Sequence, residues 1–146
     1  MVCSVCGGRT EVINSRQQKR SNQVWRRRRC LDCLRVFTTH EMTDLSPQFS
    51  VSKKDKEEPF LTDKLFTEVL LALQDRKDCY RDAREATATI TKHLLAKADG
   101  VVIPAPAISR VTAQVLKRLD RRAWLRFISE HPSQMSQKTS LTERRS

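Results

Sequence analysis

Four cysteines stand in two Cys-x-x-Cys pairs, Cys3 with Cys6 and Cys30 with Cys33, separated by twenty-three residues. Four thiolates in two such pairs are the ligand set of a closed, tetrahedral structural zinc site. His40 offers a further donor, but the four cysteines already fill a tetrahedron. Redox-active pairs would call for a βαβ setting, which the flanking sequence lacks. No secretory n-region and h-region precede the first pair, so metal is favoured over disulfides and a reducing, cytoplasmic setting is expected. The fifth cysteine, Cys79, stands alone and is expected to be a core or edge thiol. Immediately ahead of the second pair run four arginines, Arg26 to Arg29. Arginine binds phosphates and guanine edges bidentately. A solvated basic face rarely needs four in a row, because their mutual repulsion is costly without a polyanion. Trp25, beside the run, can stack on a base or sugar, although packing on the hairpin is the commoner use of such a residue.

The composition agrees with a polyanionic partner. The 146 residues carry a formal net charge of +11 and a sequence pI near 10.0, a balance that suits nucleic acid. Met1–Met42 holds nine Lys and Arg against Glu11, Asp32 and Glu41, so over half the net charge lies in less than a third of the chain. The length allows one ordinary domain or two small ones. No apolar run reaches membrane-spanning length. No Gly-x-x-x-x-Gly-Lys-Ser/Thr loop is present, the three histidines are scattered, and no nucleophile–base pair stands out, so no enzyme is expected. Two other classes compete on these observations: an RNA- or ribosome-associated zinc ribbon whose second half docks protein, and a nucleotide-hydrolysing fragment.

The elements that must position these residues follow from local pattern. Residues 1–42 read as a small β zinc ribbon. Gly7, after the second cysteine of its pair, suits the left-handed turn of a zinc knuckle. Strands are expected at Thr10–Asn14, Val24–Arg29 and Arg35–Glu41, with a hairpin loop at Gln17–Asn22. Side chains alternate along a strand, so Arg26 and Arg28 face one way and Arg27 and Arg29 the other. Residues 43–47 read as a linker. Residues 48–131 read as a mainly helical domain, making the whole α+β. It opens with a strand at Phe49–Lys53. A first helix is expected from an N-cap at Thr62 to about Arg76, with Phe66, Val69, Leu70 and Leu73 on one face. Asp82, with Glu85 three residues on, has the form of a capping box for a second helix ending near Gly100. Ile108, Val111, Val115 and Leu119 stripe a third helix, and Ala123 to about Glu130 forms a fourth. Residues 132–146 are polar and expected to be disordered.

Taken together, several of these pieces resemble one family. Cys3-x-x-Cys6-Gly7, Val12-Ile13-Asn14-Ser15-Arg16, Arg26–Arg28 before Cys30-x-x-Cys33, and Phe37-Thr38-Thr39-His40-Glu41 are similar to the zinc ribbon of the NrdR-type repressors of bacterial ribonucleotide reductase operons. Val51-Ser52-Lys53-Lys54-Asp55, Pro59-Phe60, Asp63-Lys64-Leu65, Leu119-Asp120 and Ala123–Phe127 resemble that family's ATP-cone. The chain departs from the family's usual pattern at Asn14, Trp25, Arg29, Leu34, Lys56, Trp124 and His131, the last two each standing where the family has Tyr. The resemblance implies a nucleotide-gated repressor that binds operator boxes in double-stranded DNA and senses ATP and dATP. It implies one zinc per chain and homo-oligomers whose size depends on the nucleotide. By resemblance, Arg16, Arg26, Arg27, Arg28 and Arg29 bind DNA. Val51, Lys53, Lys54, Phe60 and Lys64 bind nucleotide; the lysines suit a triphosphate on charge alone. A bacterial, nucleoid-associated location is implied with it.

Overall fold

The computed structural model describes residues 1–19, 22–54, 56–98 and 100–132. The tail expected to be disordered lies outside the described residues from 133 onward. The chain divides into two compact units, Met1–Asp44 and Leu45–Ser146.

The first unit is a three-stranded antiparallel sheet in the order β1-β2-β3, with β1 at Thr10–Gln18, β2 at Gln23–Cys30 and β3 at Val36–Met42. β1 is four residues longer than local propensity gives. Gln17 and Gln18, expected in a loop, pair with Val24 and Gln23. Cross-strand bonding from β2 outweighs their weak strand preference. A β-bulge between Val12 and Asn14 shifts the register. Among the described residues of this unit only Cys3 and Cys30 are buried. The sheet therefore has no apolar core of its own, and the sulfur cluster takes that role.

The second unit is α+β. Its sheet has the order β5-β4-β6, with β4 at Ser50–Lys53, β5 at Lys56–Pro59 and β6 at Val102–Pro104. β5 pairs antiparallel with β4, and β6 pairs parallel. A parallel neighbour needs a long crossover, supplied here by α1 (Thr62–Ala72) and α2 (Cys79–Lys97). α3 (Ala105–Leu119) and α4 (Arg121–Glu130) complete the unit. Val51, Phe60, Val69, Ile90, Leu116 and Phe127 lie in one buried cluster, with Leu45 and Phe49 packed against it. Leu45 thus belongs to this unit although the sequence places it in a linker. Cys79 is half-buried against the same cluster.

Four details differ from the local reading. α1 starts at Thr62 itself, with Leu61 at the N-cap position and no side-chain cap. It stops at Ala72, short of Arg76: the Leu73 N–H closes on the Val69 and Leu70 carbonyls, and the freed Ala72 carbonyl accepts from Arg126 Nη1 at 2.7 Å. α2 starts at Cys79, so Asp82 is inside it. The Asp82 carboxylate instead accepts from Arg76 Nε at 2.6 Å, and Arg76 also reaches Asp120. The buried face of α3 is rotated: Leu116 and Thr112 are fully buried, whereas Leu119 is 40% exposed. Asp120 caps α4, accepting from the backbone N–H of Arg122 and Ala123 at 2.8 and 3.1 Å.

Candidate metal centre and basic sheet

The two knuckles fold alike. Cys3 N–H bonds to the Gly8 carbonyl and Cys30 N–H to the Arg35 carbonyl, both at 2.9 Å, closing a tight loop around each pair. Val5 N–H donates to Cys3 Sγ and Cys33 N–H to Cys30 Sγ, each at 3.4 Å. The position after each second cysteine is left-handed, with φ of 73° at Gly7 and 60° at Leu34. Leu34, unlike Gly7, carries a Cβ in that region.

The loops bring all four sulfurs within 4.8 Å of one another. Cys3 and Cys33 are 3.7 Å apart, and Cys6 and Cys30 3.5 Å. A tetrahedral ion with bonds of about 2.3 Å to sulfur sets its ligands roughly 3.8 Å apart, so the donor set and its spacing fit zinc. His40 is not in the cluster; its Nδ1 lies 3.1 Å from Gln23 Oε1. Peptide N–H bonds favour thiolate: chiefly through Val5 N–H, Cys3 is lowered to about 7, and Cys30 is lowered chiefly through Cys33 N–H. At Cys6 the Gly8 N–H also pulls down, but the sulfurs of Cys30, Cys33 and Cys3, with burial, push the thiol up to about 12. Four sulfurs so close cannot all ionise unaided, and a bound dication supplies the compensating charge.

The strand leading into the second knuckle carries the arginines, and its register sorts them. On one face the cross-strand rows are Arg16–Trp25–His40, Asn14–Arg27–Thr38 and Glu11–Arg29–Val36. On the other they are Gln17–Val24–Glu41, Ser15–Arg26–Thr39 and Val12–Arg28–Phe37. Arg26 places Nε and Nη2 on Glu41 Oε2 at 3.1 and 2.9 Å. Arg29 does the same with Glu11 Oε1 at 2.9 and 2.6 Å. Arg28 Nε donates to Thr39 Oγ1 at 3.2 Å. Arg16 and Arg27 are exposed and have no ion pair or side-chain hydrogen bond among the described residues. The sequence shows the run but not this division, which needs the register.

The second unit has a cleft of about 150 Å³ lined by residues that include Val51, Lys53, Phe60 and Lys64. Four of the five residues named for nucleotide thus share one cavity. Lys54 is not among its lining residues; it sits in the β4–β5 turn with φ of 53°. Lys54 is thus left-handed in that turn, while Lys56 is in β5. Sequence reasoning did not assign Glu58, Glu68 and Ile108 to the cleft, and helical period alone could have raised only Glu68, one turn beyond Lys64; His131, a departure from the family pattern, also lines it. Glu58 accepts from Lys64 Nζ at 2.6 Å. That bond, then the charges of Lys64 and Lys53, holds the Glu58 carboxyl below its ordinary range. His131 stacks on Phe127 with ring centroids 4.4 Å apart.

A sulfur-lined cation site at the root of a basic three-stranded sheet, followed by a separate α+β unit, defines a two-part zinc-ribbon protein. Residues 1–41 match the family described as "Transcriptional repressor NrdR-like, N-terminal domain". The chain is 36% identical over 129 residues to the transcriptional repressor NrdR of Symbiobacterium thermophilum, covering 88% of this chain and 85% of that protein. The chain belongs to the NrdR family of transcriptional repressors. No helix among the described residues is long and apolar enough to cross a membrane.

Proposed function

We propose that this protein is a nucleotide-gated repressor, in which the zinc ribbon binds operator DNA upstream of ribonucleotide reductase genes and the second unit, an ATP-cone, senses ATP and dATP. The observation that carries the reading is the joint presence of the four-sulfur centre under a basic strand and a separate lysine-bearing cleft, in a chain of this family. The zinc supplies rigidity: it fixes the base of β2 and so the direction in which its arginines point. Arginines of the sheet that have no acidic partner neutralise phosphates and release counterions.

In the cleft, Val51 and Phe60 form an apolar wall, and Lys53 and Lys64 stand where phosphates would lie, with Lys54 in the adjoining turn. The cavity is smaller than the roughly 300–1,000 Å³ of a fully enclosing ligand site. The nucleotide therefore seats only its base or ribose inside, and its phosphates lie outward toward the lysines. To bind phosphate, Lys64 exchanges its Glu58 partner for the ligand. Nucleotide binding then favours one assembly of the chain over another, and the assembly decides whether two ribbons meet two operator boxes together. The chain binds its nucleotide without hydrolysing it.

The test is equilibrium binding of ATP and dATP to the purified zinc-loaded chain, followed by titration of duplex DNA from upstream of the reductase genes. Saturable nucleotide binding without phosphate release, with salt-dependent duplex binding, is expected. Absence of both binding activities would overturn the reading.

A further inference from the structure

The sheet of the ribbon has two faces, and one duplex cannot lie against both. We propose that the face bearing the rows Arg16–Trp25–His40 and Asn14–Arg27–Thr38 is the surface that reads duplex DNA, while Arg26 and Arg28 on the opposite face hold the sheet together. The proposal rests on the DNA-binding reading above and divides the arginine run in a way that reading does not require.

Three observations carry it. The first is charge. Arg16 and Arg27 have no ion-pair partner among the described residues, and no acid stands in either of their two rows. Arg26 is held by Glu41, whose carboxylate would also repel a phosphate backbone on that side. Arg29 shares the reading face, but Glu11 opposite neutralises it at the zinc end. The second is exposure. Thr38 and His40 on β3 are exposed, as are Arg16 and Arg27, whereas Phe37, Thr39, Arg26 and Arg28 on the opposite side are half-buried. The third is chemistry. The reading face offers groups that base edges and sugars accept: guanidinium for guanine, the Asn14 amide for adenine, the Trp25 ring for stacking and the Thr38 hydroxyl. The opposite face has Val12, Val24 and Phe37 in its rows, with Arg28 between Val12 and Phe37. Its apolar side chains have no such selectivity. A β-sheet that enters a groove does so by one face, since side chains on the other point away.

The experiment uses the full zinc-loaded chain with a fluorescein-labelled duplex from upstream of the reductase genes, read by anisotropy across a salt series. Arg16→Ala and Arg27→Ala should each weaken binding about ten-fold or more and lower the salt slope by about one. Arg26→Gln and Arg28→Gln should stay within about three-fold of the parent, with its salt slope. Zinc content and thermal unfolding report whether each ribbon is intact; a loosened one is replaced by Arg26→Lys or Arg28→Lys, which keep the charge but lose the guanidinium fork. A second readout uses Trp124→Phe, which leaves Trp25 as the sole tryptophan; its emission should be quenched in step with binding. Equal losses from both faces, or unquenched Trp25 emission at saturation, would overturn the face assignment while leaving DNA binding intact. A parent chain that fails to bind the duplex, or prefers single-stranded RNA, would overturn the underlying reading and this proposal with it.

Discussion

Leu34 occupies the same place in the second knuckle as Gly7 in the first, and it holds a left-handed backbone with φ of 60°. That conformation costs a residue with a Cβ roughly 1–2 kcal/mol, and glycine removes the cost while losing about 0.5–1 kcal/mol of chain entropy. Because its side chain is 68% exposed, Leu34 repays little of this by packing. Leu34→Gly should therefore stabilise the zinc-loaded ribbon by about 0.5–1 kcal/mol, visible as slower loss of structure in chelator. A destabilised variant would show that the Leu34 side chain has a contact that matters. Cys30 is the other residue on which the ribbon turns, being fully buried at the junction of strand and metal site. Cys30→Ser should lower the zinc content well below one per chain by elemental analysis and abolish the β-sheet signal of the ribbon. The second unit, with its own buried cluster, should keep its cooperative melt. Retention of ribbon structure in strong chelator would contradict the role given to the metal.

At the scale of elements, what was legible in the sequence was what is local. The spacing of the cysteines announces the metal centre, the richness of Arg35–Glu41 in β-formers announces β3, and the return of the chain to the second pair announces β2. The misreadings came from interactions that cross the chain. Asp82 and Glu85 have the form of a capping box, yet Arg76 takes the Asp82 carboxylate and the helix begins at Cys79. The carbonyl that ends α1 finds its partner in Arg126, fifty-four residues away. Apolar spacing draws the stripe of α3 toward Leu119, because Thr112 and Ser109, polar by type, lie on its buried face. In the cleft, Lys53 and Lys64 follow from the family resemblance, whereas Glu58 joins them only through tertiary packing. Asp120 shows how much one such residue can hold, since it caps α4 and accepts from Arg76. Asp120→Ala should cost about 1 kcal/mol from the cap alone. The Ala123 N–H bond first, and then Arg76, hold its carboxyl below the ordinary range. A lowered carboxyl stabilises the fold above its unfolded value of about 3.9, and that stability is lost as pH falls through the lower folded value. Urea unfolding should therefore show a gap between parent and Asp120→Ala that is full at pH 6 and narrows below about pH 4. A gap independent of pH would assign the loss to packing instead.

For the whole molecule, nucleotide gating requires that a ligand in one unit change the affinity of the other. Such coupling exists only if nucleotide binds one assembly better than another. On the proposed reading the cleft's phosphate contact falls chiefly to Lys64, whose ammonium is held in the cleft by Glu58. Lys64→Ala would remove a charge-assisted bond and leave the Glu58 carboxylate facing the phosphates unpaired. Nucleotide affinity should fall about ten-fold or more, by equilibrium dialysis, while zinc content stays at that of the parent. The most direct measurement is the affinity of the full zinc-loaded chain for duplex DNA from upstream of the reductase genes, taken with dATP, with ATP and with neither, with the mass of each state followed by light scattering. The account predicts that the two nucleotides give assemblies of different mass and that the dATP form binds the duplex more tightly than the ATP form. One mass and one affinity in all three conditions would contradict it.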